Sequence, residues 1–143
     1  MEEEWRRDDY LINTDQSLLD LDTVHGFLKR SYWAADRLLE TIRHSIEHSL
    51  TFGVYLGDDR QQVGFARVVT DFATFAWICD VFIDEAHRGR GLGVWLMETI
   101  AGHPRLQGLR IWLLATKDAH GLYEKTGFKP LGVPERWMWK LNL

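Results

Sequence analysis

Residues 81–93 read Val-Phe-Ile-Asp-Glu-Ala-His-Arg-Gly-Arg-Gly-Leu-Gly, an apolar strand that runs into a basic, glycine-rich turn. The apolar spacing that follows predicts a helix over 92–102. The first N–H groups of a helix lack partners and carry partial positive charge, which attracts anions. Glycines let the backbone approach a phosphate closely, and Arg88 and Arg90 add two positive charges. The turn therefore predicts a site for phosphate groups.

The glycine spacing excludes two common nucleotide sites. The P-loop pattern Gly-x-x-x-x-Gly-Lys-Ser/Thr is absent. The dinucleotide fingerprint requires Gly-x-Gly-x-x-Gly after an early strand, whereas Gly89, Gly91 and Gly93 alternate after a late one. A tight turn that needs three glycines for its geometry alone is the alternative to a ligand site.

Apolar periodicity on both sides of the turn predicts an α/β chain with a mixed sheet. The expected helices are one capped by Asp22 or Thr23 that ends near Arg30, followed by 35–49, 92–102 and 119–126, the last capped by Asp118. The expected strands are 10–13, 51–56, 63–70, 75–83 and 109–115, and a closing hairpin of 128–131 with 137–141.

Composition narrows the classes of partner. The formal net charge of -4 argues against nucleic acid, because phosphate backbones require a basic face. The single Cys79 excludes an internal disulfide and fits a reducing compartment. No apolar run approaches the ~20 residues of a membrane span. The acidic start, residues 1–5, resembles neither a secretion signal nor a transit peptide, so we expect a cytoplasmic protein without membrane partners.

Two segments together resemble the GCN5-related N-acetyltransferase (GNAT) superfamily. Residues 81–93 resemble its motif A, a hydrophobic strand followed by Gln/Arg-x-x-Gly-x-Gly/Ala, matched at Arg88, Gly91 and Gly93. Residues 119–128 resemble its motif B, Ala-x-x-x-Tyr-x-x-x-Gly-Phe. The motifs occur in the usual order and at the usual separation. The element order matches too, so the resemblance covers nearly the whole chain, 1–143, as a single domain.

The resemblance implies a mostly antiparallel sheet with helices on both faces, splayed between the strands that end near residues 83 and 116. The pantetheine arm of acetyl-CoA would lie in the gap, and no metal is implied. The implied cofactor contacts are Val81, Phe82, Ile83, Arg88, Gly89, Arg90, Gly91, Leu92, Gly93 and Thr116. Tyr123 would point its hydroxyl at the thioester sulfur; the alternative is an aromatic residue of the core.

The family pattern does not identify a general base in this chain. Many relatives carry a glutamate on the central strand where Trp77 stands here. Diamine-type relatives carry Glu-Asp where this chain has Cys79-Asp80. Motif B is often approached through an Asn, and Thr116 replaces it here, so a hydroxyl would contact the pantetheine arm in place of an amide.

The chemistry of amide formation suggests roles for individual residues. A primary amine is protonated at neutral pH and must lose a proton before it attacks a thioester. Asp80, a carboxylate in an otherwise apolar strand, is the candidate base; the alternative is a structural Asp that accepts backbone N–H bonds. The N–H of Val81 would stabilise the developing oxyanion. Tyr123 would protonate the departing thiolate.

The link between the first two helices usually covers the acceptor pocket in this fold. Here it contains the adjacent aromatics Tyr32 and Trp33, the predicted acceptor contacts; a hydrophobic plug between the helices is the alternative. His44 and His48 have a spacing that suits a metal. Without an apparent third ligand, a solvated helix face is the expectation.

These observations predict an acetyl-CoA-dependent N-acyltransferase that moves an acetyl group to a primary amine of a small molecule or peptide. The alternative is a module that binds or senses acyl-CoA without turnover. A monomer or a homodimer is expected.

Overall fold

The computed structural model describes residues 2–142. Its strands are β1 (Glu4–Arg7), β2 (Tyr10–Asn13), β3 (Leu50–Leu56), β4 (Gln61–Thr70), β5 (Phe75–Ile83) and β6 (Ile111–Leu113). Its α-helices are α1 (Leu21–Lys29), α2 (Leu39–Glu47), α3 (Leu92–Ala101) and α4 (His120–Glu124). Short 3₁₀ turns cover Gln16–Leu18, Glu85–His87, Pro104–Leu106 and Pro134–Arg136.

The six strands form one sheet in the order of the chain, β1 to β6. Each neighbouring pair up to β4–β5 is antiparallel, and β5–β6 is parallel. The parallel pairing joins only Phe75–Trp77 to Ile111–Leu113. Beyond Trp77 and Leu113 the two strands separate. The predicted mixed, mostly antiparallel and splayed sheet is therefore confirmed.

Helices cover both faces of this sheet, as predicted. On one face, α1 and α2 form a buried cluster with the sheet, in which the rings of Phe27 and Phe82 stack with centroids 4.9 Å apart. On the other face, α3 packs its buried residues against the sheet: Leu92, Leu96, Met97 and Ile100. Each face thus has its own apolar core. Ala76 and Ile78 of β5 belong to one core and Phe82 belongs to the other, so β5 is held from both faces.

Several element boundaries differ from the predicted ones. The cap of α1 is Asp20, whose carboxylate accepts from the Thr23 N–H at 3.1 Å, rather than Asp22 or Thr23. Helix α2 spans only Leu39–Glu47, and α4 starts at His120 without a side-chain cap from Asp118. The predicted strand 109–115 shortens to β6 because the chain leaves the sheet where the splay begins.

The predicted closing hairpin is wrong. Within residues 2–142, neither 128–131 nor 137–141 forms a strand. Pro130 and Pro134 each remove an N–H donor and fix φ, and a 3₁₀ turn follows the second of them. The alternation of apolar residues in 137–141 is typical of a strand, but the segment is exposed, with Trp139 at 83%. The apolar pattern of this segment therefore does not lead to strand pairing.

None of the helices within residues 2–142 is long and apolar enough to cross a membrane.

Candidate active site

The separation of β5 from β6 opens a cleft of about 790 Å³. One wall is the second half of β5, residues 78–82, and the other is the segment 114–119 that follows β6. The link between α1 and α2 contributes residues 30–33, and Tyr123 of α4 also lines the cleft. A cleft of this volume is in the range that holds a small ligand.

A β-bulge interrupts β5 in the wall of the cleft. Phe65 pairs with Phe82 and Arg67 pairs with Cys79, so one residue of β4 faces two of β5, Asp80 and Val81. Asp80 has φ +54°, in the left-handed region that non-glycine residues rarely adopt. The extra residue of a bulge leaves the ladder of hydrogen bonds. Main-chain groups at Asp80 and Val81 are thereby made available to a ligand.

The Asp80 carboxylate lies at the centre of a polar cluster in this wall. Its Oδ1 accepts from the indole Nε1 of Trp33 at 3.0 Å. Its Oδ2 accepts from Nη1 of Arg37 at 2.8 Å and from Nε of Arg67 at 2.9 Å. Only 3% of the Asp80 side chain is exposed. These donors are side chains, so the alternative in which Asp80 accepts backbone N–H bonds does not describe the cluster.

The glycine-rich turn forms a cradle at the start of α3. Gly89 and Gly91 have φ of +80° and +76°, and Gly91 is the N-cap of the helix. No side chain caps the first turn of α3, so its N–H groups are left for another acceptor. The Nε of Arg88 donates to the Ile83 carbonyl at 2.9 Å, which anchors the guanidinium at the end of β5. Backbone shape, free donors and positive charge all fit a phosphate group.

A further cation lies beside this cradle. The guanidinium of Arg7, on β1, lies so close that a Cβ on Gly91 would be 3.6 Å from its Nη2. The same side chain lies over the ring of Trp95 in α3, 5.9 Å from the centroid. Because β1 was not predicted, neither was this contribution to the phosphate site.

Tyr123 packs against the apolar core and lines the cleft. Burial raises the pKa of its phenol to about 12, with further contributions from Tyr32 and Asp118. The hydroxyl therefore keeps its proton throughout the neutral range. A phenol in that state can donate a proton but cannot accept one.

The side chain of Thr116 makes a hydrogen bond within the protein. Its Oγ1 accepts from the backbone N–H of Ala119 at 3.0 Å, which fixes the entry into α4. Thr116 also lines the cleft, so the hydroxyl lies within the predicted cofactor region.

The two aromatic residues of the helix link contact opposite walls of the cleft. The hydroxyl of Tyr32 accepts from the N–H of Lys117, beyond β6, at 2.6 Å, while Trp33 reaches Asp80 on β5. Their rings meet edge to face with centroids 5.1 Å apart. About half of the Tyr32 side chain and two fifths of Trp33 are exposed. The pair therefore lines the cleft and does not act as a buried plug between helices.

Asp71, His44 and His48 do not line the cleft. Asp71 accepts from the N–H and hydroxyl of Thr74 and is a turn residue; these hydrogen bonds hold the pKa of its carboxyl well below the usual range. Glu47 brings a third potential metal ligand to His44 and His48, with ligand atoms within 4.8 Å of one another. Sequence reasoning missed this third group, although its spacing of three residues from His44 places it on the same face of the helix. All three side chains are exposed.

Sequence reasoning missed Arg37 and Arg67. A signal for Arg67 is visible in retrospect, because it is a lone cation in an apolar stretch of β4 and Asp80 is a lone anion in the neighbouring β5. Opposite charges isolated on adjacent strands favour a buried pair. No comparable signal marks Arg37, which lies in the link before α2.

Comparison with known proteins agrees with this geometry. A profile of the acetyltransferase (GNAT) domain matches residues 48–130. A candidate acetyltransferase of Gibberella zeae, FG08082, is 31% identical, over 87% of this chain and 82% of its own. A crystal structure of a candidate GNAT acetyltransferase from Xanthomonas campestris pv. campestris is 46% identical, with a TM-score of 0.88 over 93% of each chain.

A structure of a predicted acetyltransferase from Clostridium acetobutylicum with acetyl-CoA shares the fold alone. It has a TM-score of 0.63 at 14% identity, over 99% of this chain and 96% of its own. The chain thus belongs to the GNAT family of acetyltransferases, as the two sequence motifs indicate, and is an enzyme of that class.

Proposed function

We propose that the protein uses acetyl-CoA to acetylate a primary amine of a small molecule or peptide. The observation that carries this proposal is that the uncapped start of α3 follows a glycine-rich turn whose Arg88 also lines the splayed cleft. A phosphate cradle at one end and a bulge with free main-chain groups at the other suit a long, anionic thioester. Acetyl-CoA supplies the activated acetyl group, and the solved relative with acetyl-CoA supports this choice.

The residues of this chain divide the binding between them. The segment 88–93 holds the pyrophosphate through backbone N–H groups and the two arginines, with Arg7 adding charge. Val81 and Phe82, which line the cleft, lie along the pantetheine arm, with Thr116 on the facing wall. Ile83 follows them at the end of β5 and packs against the core. Tyr32 and Trp33 contact the acceptor.

In acyl transfer from the thioester, the amine nitrogen loses two protons, the sulfur gains one, and one bond is exchanged for another. The deprotonated amine nitrogen forms a bond to the acetyl carbon, and the carbon–sulfur bond breaks. The Val81 N–H donates to the carbonyl oxygen as charge develops on it. The Tyr123 hydroxyl gives its proton to the departing sulfur and recovers one from solvent. The nitrogen loses a second proton to solvent as the amide forms, which balances the proton that Tyr123 recovers. The products are an N-acetyl amide and the free thiol of CoA, and the first proton, from the ammonium, passes to water.

We assign Asp80 a positioning role and not that of the base. Its two oxygens already accept from three donors, two of them guanidiniums. Few lone pairs are left to receive a proton from the acceptor. The carboxylate instead fixes Trp33, Arg37 and Arg67 around the bulge.

Calorimetry and a thiol assay test the proposed function together. Titration with acetyl-CoA should show saturable binding, and thiol should be released only when an amine from a broad panel is added. Saturable binding without thiol release for any amine would instead favour an acyl-CoA sensor. Absence of binding would contradict both.

Asp80→Asn should lower the free energy of unfolding by about 2 kcal/mol, because two guanidiniums lose their counter-charge. The fall of kcat/KM at acidic pH should persist in this variant, since Asp80 does not take the substrate proton. Chemical denaturation and a pH–rate profile provide the two readouts. If kcat/KM no longer fell at acidic pH in a folded Asp80→Asn protein, Asp80 would be identified as the base.

Trp33→Ala should raise the KM of the acceptor about tenfold, since it removes an aromatic wall and one hydrogen bond to Asp80. The dissociation constant of acetyl-CoA should change far less. Trp139→Ala is a matched control, because this exposed tryptophan does not line the cleft. Equal losses of acceptor and cofactor binding in the Trp33 variant would contradict the assignment.

A further inference from the structure

The cluster around Asp80 carries more positive than negative charge. The guanidiniums of Arg37 and Arg67 share a single carboxylate oxygen, Oδ2, at 2.8 and 2.9 Å. Arg67 also donates from Nη1 to Ser49 Oγ at 3.2 Å. Two cations against one anion leave an excess of one positive charge in the wall of the cleft. A partly buried charge without a partner is unfavourable, so an anion is attracted to this position.

Free donors accompany that charge. Arg37 uses only Nη1, and its other N–H groups have no partner among residues 2–142. A quarter of the Arg37 side chain and a seventh of Arg67 are exposed, and both line the cleft. The planar fork of a guanidinium binds carboxylate and phosphate oxygens in pairs. The Asp80 carboxylate holds both forks in place before a ligand arrives.

The other lining residues do not offset this charge. The basic residues of the cleft are Arg30, Arg37, Arg67, Arg88 and Lys117. Its acidic residues are Asp80 and Asp118. Asp80 is already engaged, and Asp118 lies beyond β6, next to α4. Within the described chain, the bulge end of the cleft therefore has no spare carboxylate for a second ammonium group, which disfavours polyamines as acceptors.

We propose that the acceptor is a primary amine that also carries a carboxylate or a phosphate, which Arg37 and Arg67 bind. This inference rests on the proposed acetyltransferase function and names the substrate class of the same cleft. The oxyanion sits on the two guanidiniums, and the amine lies toward the bulge at Val81. Asp80 is the positioning residue of this subsite and touches neither reacting atom.

Matched pairs of acceptors test this directly in the thiol-release assay. One arm compares the standard amino acids with their amides, another compares phosphoethanolamine with ethanolamine, and spermidine represents the polyamines. In the best pair, kcat/KM for the member that carries the carboxylate or phosphate should be at least about tenfold higher than for the member that lacks it. The α-amine of an amino acid amide loses its proton more easily than the α-amine of the free amino acid. This difference alone would favour the amide, so it does not explain a preference for the acid. Whether the carboxylate or the phosphate arm gives the larger ratio identifies the source of the oxyanion.

Arg37→Gln should reduce the preference for the anionic member about tenfold, and Arg37→Lys, which keeps the charge and loses the fork, should retain part of it. Arg43→Gln is the matched control, since Arg43 pairs with Glu40 on the exposed face of α2. Thermal melts verify that each variant is folded. An unchanged preference in folded Arg37→Gln would overturn the inference.

Failure of the inference differs from failure of the proposed function. Acetylation of neutral amines or spermidine as efficiently as anionic ones would overturn the anionic acceptor while amine acetylation stands. Absence of acetyl-CoA binding, or of thiol release with every amine, would overturn both.

Discussion

Tyr123→Phe is expected to lower kcat about 10²–10³-fold while the affinity for acetyl-CoA stays nearly the same. The substitution keeps the ring, which packs against the core, and removes only the hydroxyl. That hydroxyl matters when negative charge develops on sulfur, so the loss is confined to the transition state. Because burial raises the pKa of Tyr123 to about 12, its proton is present at any pH where the enzyme is assayed.

Single-turnover rates and calorimetric titration of both proteins check this expectation. Tyr55→Phe is the control, since Tyr55 is a fully buried tyrosine outside the cleft and undergoes the same chemical change. Its kcat should match that of the wild type. Unchanged turnover in Tyr123→Phe would make Tyr123 a packing residue. Lost affinity with normal turnover at saturation would make it a binding residue.

Gly91→Glu is expected to weaken acetyl-CoA binding by more than about 100-fold. At φ +76° any side chain is strained, and a carboxylate at the start of α3 repels the phosphates that this turn is proposed to hold. Repulsion and steric exclusion act on the same site, so their effects reinforce each other. Calorimetric titration gives the affinity, and circular dichroism verifies the fold.

The chain provides a closely matched control for this variant. Gly108 also has φ +76°, and a Cβ added there meets no atom within 4 Å. It lies before β6 and does not line the cleft. Gly108→Glu therefore introduces the same strain and charge away from the proposed site, and should destabilise the fold without affecting affinity. Equal affinity in both variants would contradict the phosphate site.

The parts of the fold that sequence predicts well are those set by local chemistry. The predicted helix 119–126 is followed by Gly127, a residue type that commonly ends helices. Gly127 has φ +99°, and the Phe128 N–H donates to the Tyr123 carbonyl in the turn that follows α4. The turn 88–93 was recognised in the same way, because glycine, arginine and a following helix are visible in one window. In both cases the residue type determines the local backbone conformation directly.

The missed parts depend on surfaces that a sequence does not display. Strand β1 contains a glutamate and two arginines among its four residues, a composition expected of an exposed edge and not of a typical strand. The contact of Arg37 with Asp80 spans 43 residues and exists only once α1 and α2 pack on the sheet. The hairpin is the opposite case, since its local pattern was strong but its two segments form no strands in the structure.

The position of Asp80 in an apolar strand correctly indicated a special site, but it allowed two roles for the carboxylate. A carboxylate in an apolar strand does indicate a special site, and the structure places it at a bulge in the cleft. Only the partners, Trp33, Arg37 and Arg67, distinguish a proposed positioning residue from a base. Those partners come from two separate segments of the chain.

A crystal structure of the chain with acetyl-CoA would show directly whether the cofactor lies in the cleft between β5 and β6. We expect the pantetheine arm between β5 and residues 114–116, with the pyrophosphate against 88–93 and the thioester near Val81. A cofactor located elsewhere, for example in the smaller cavity lined by Met97, Trp112 and Phe128, would contradict this expectation.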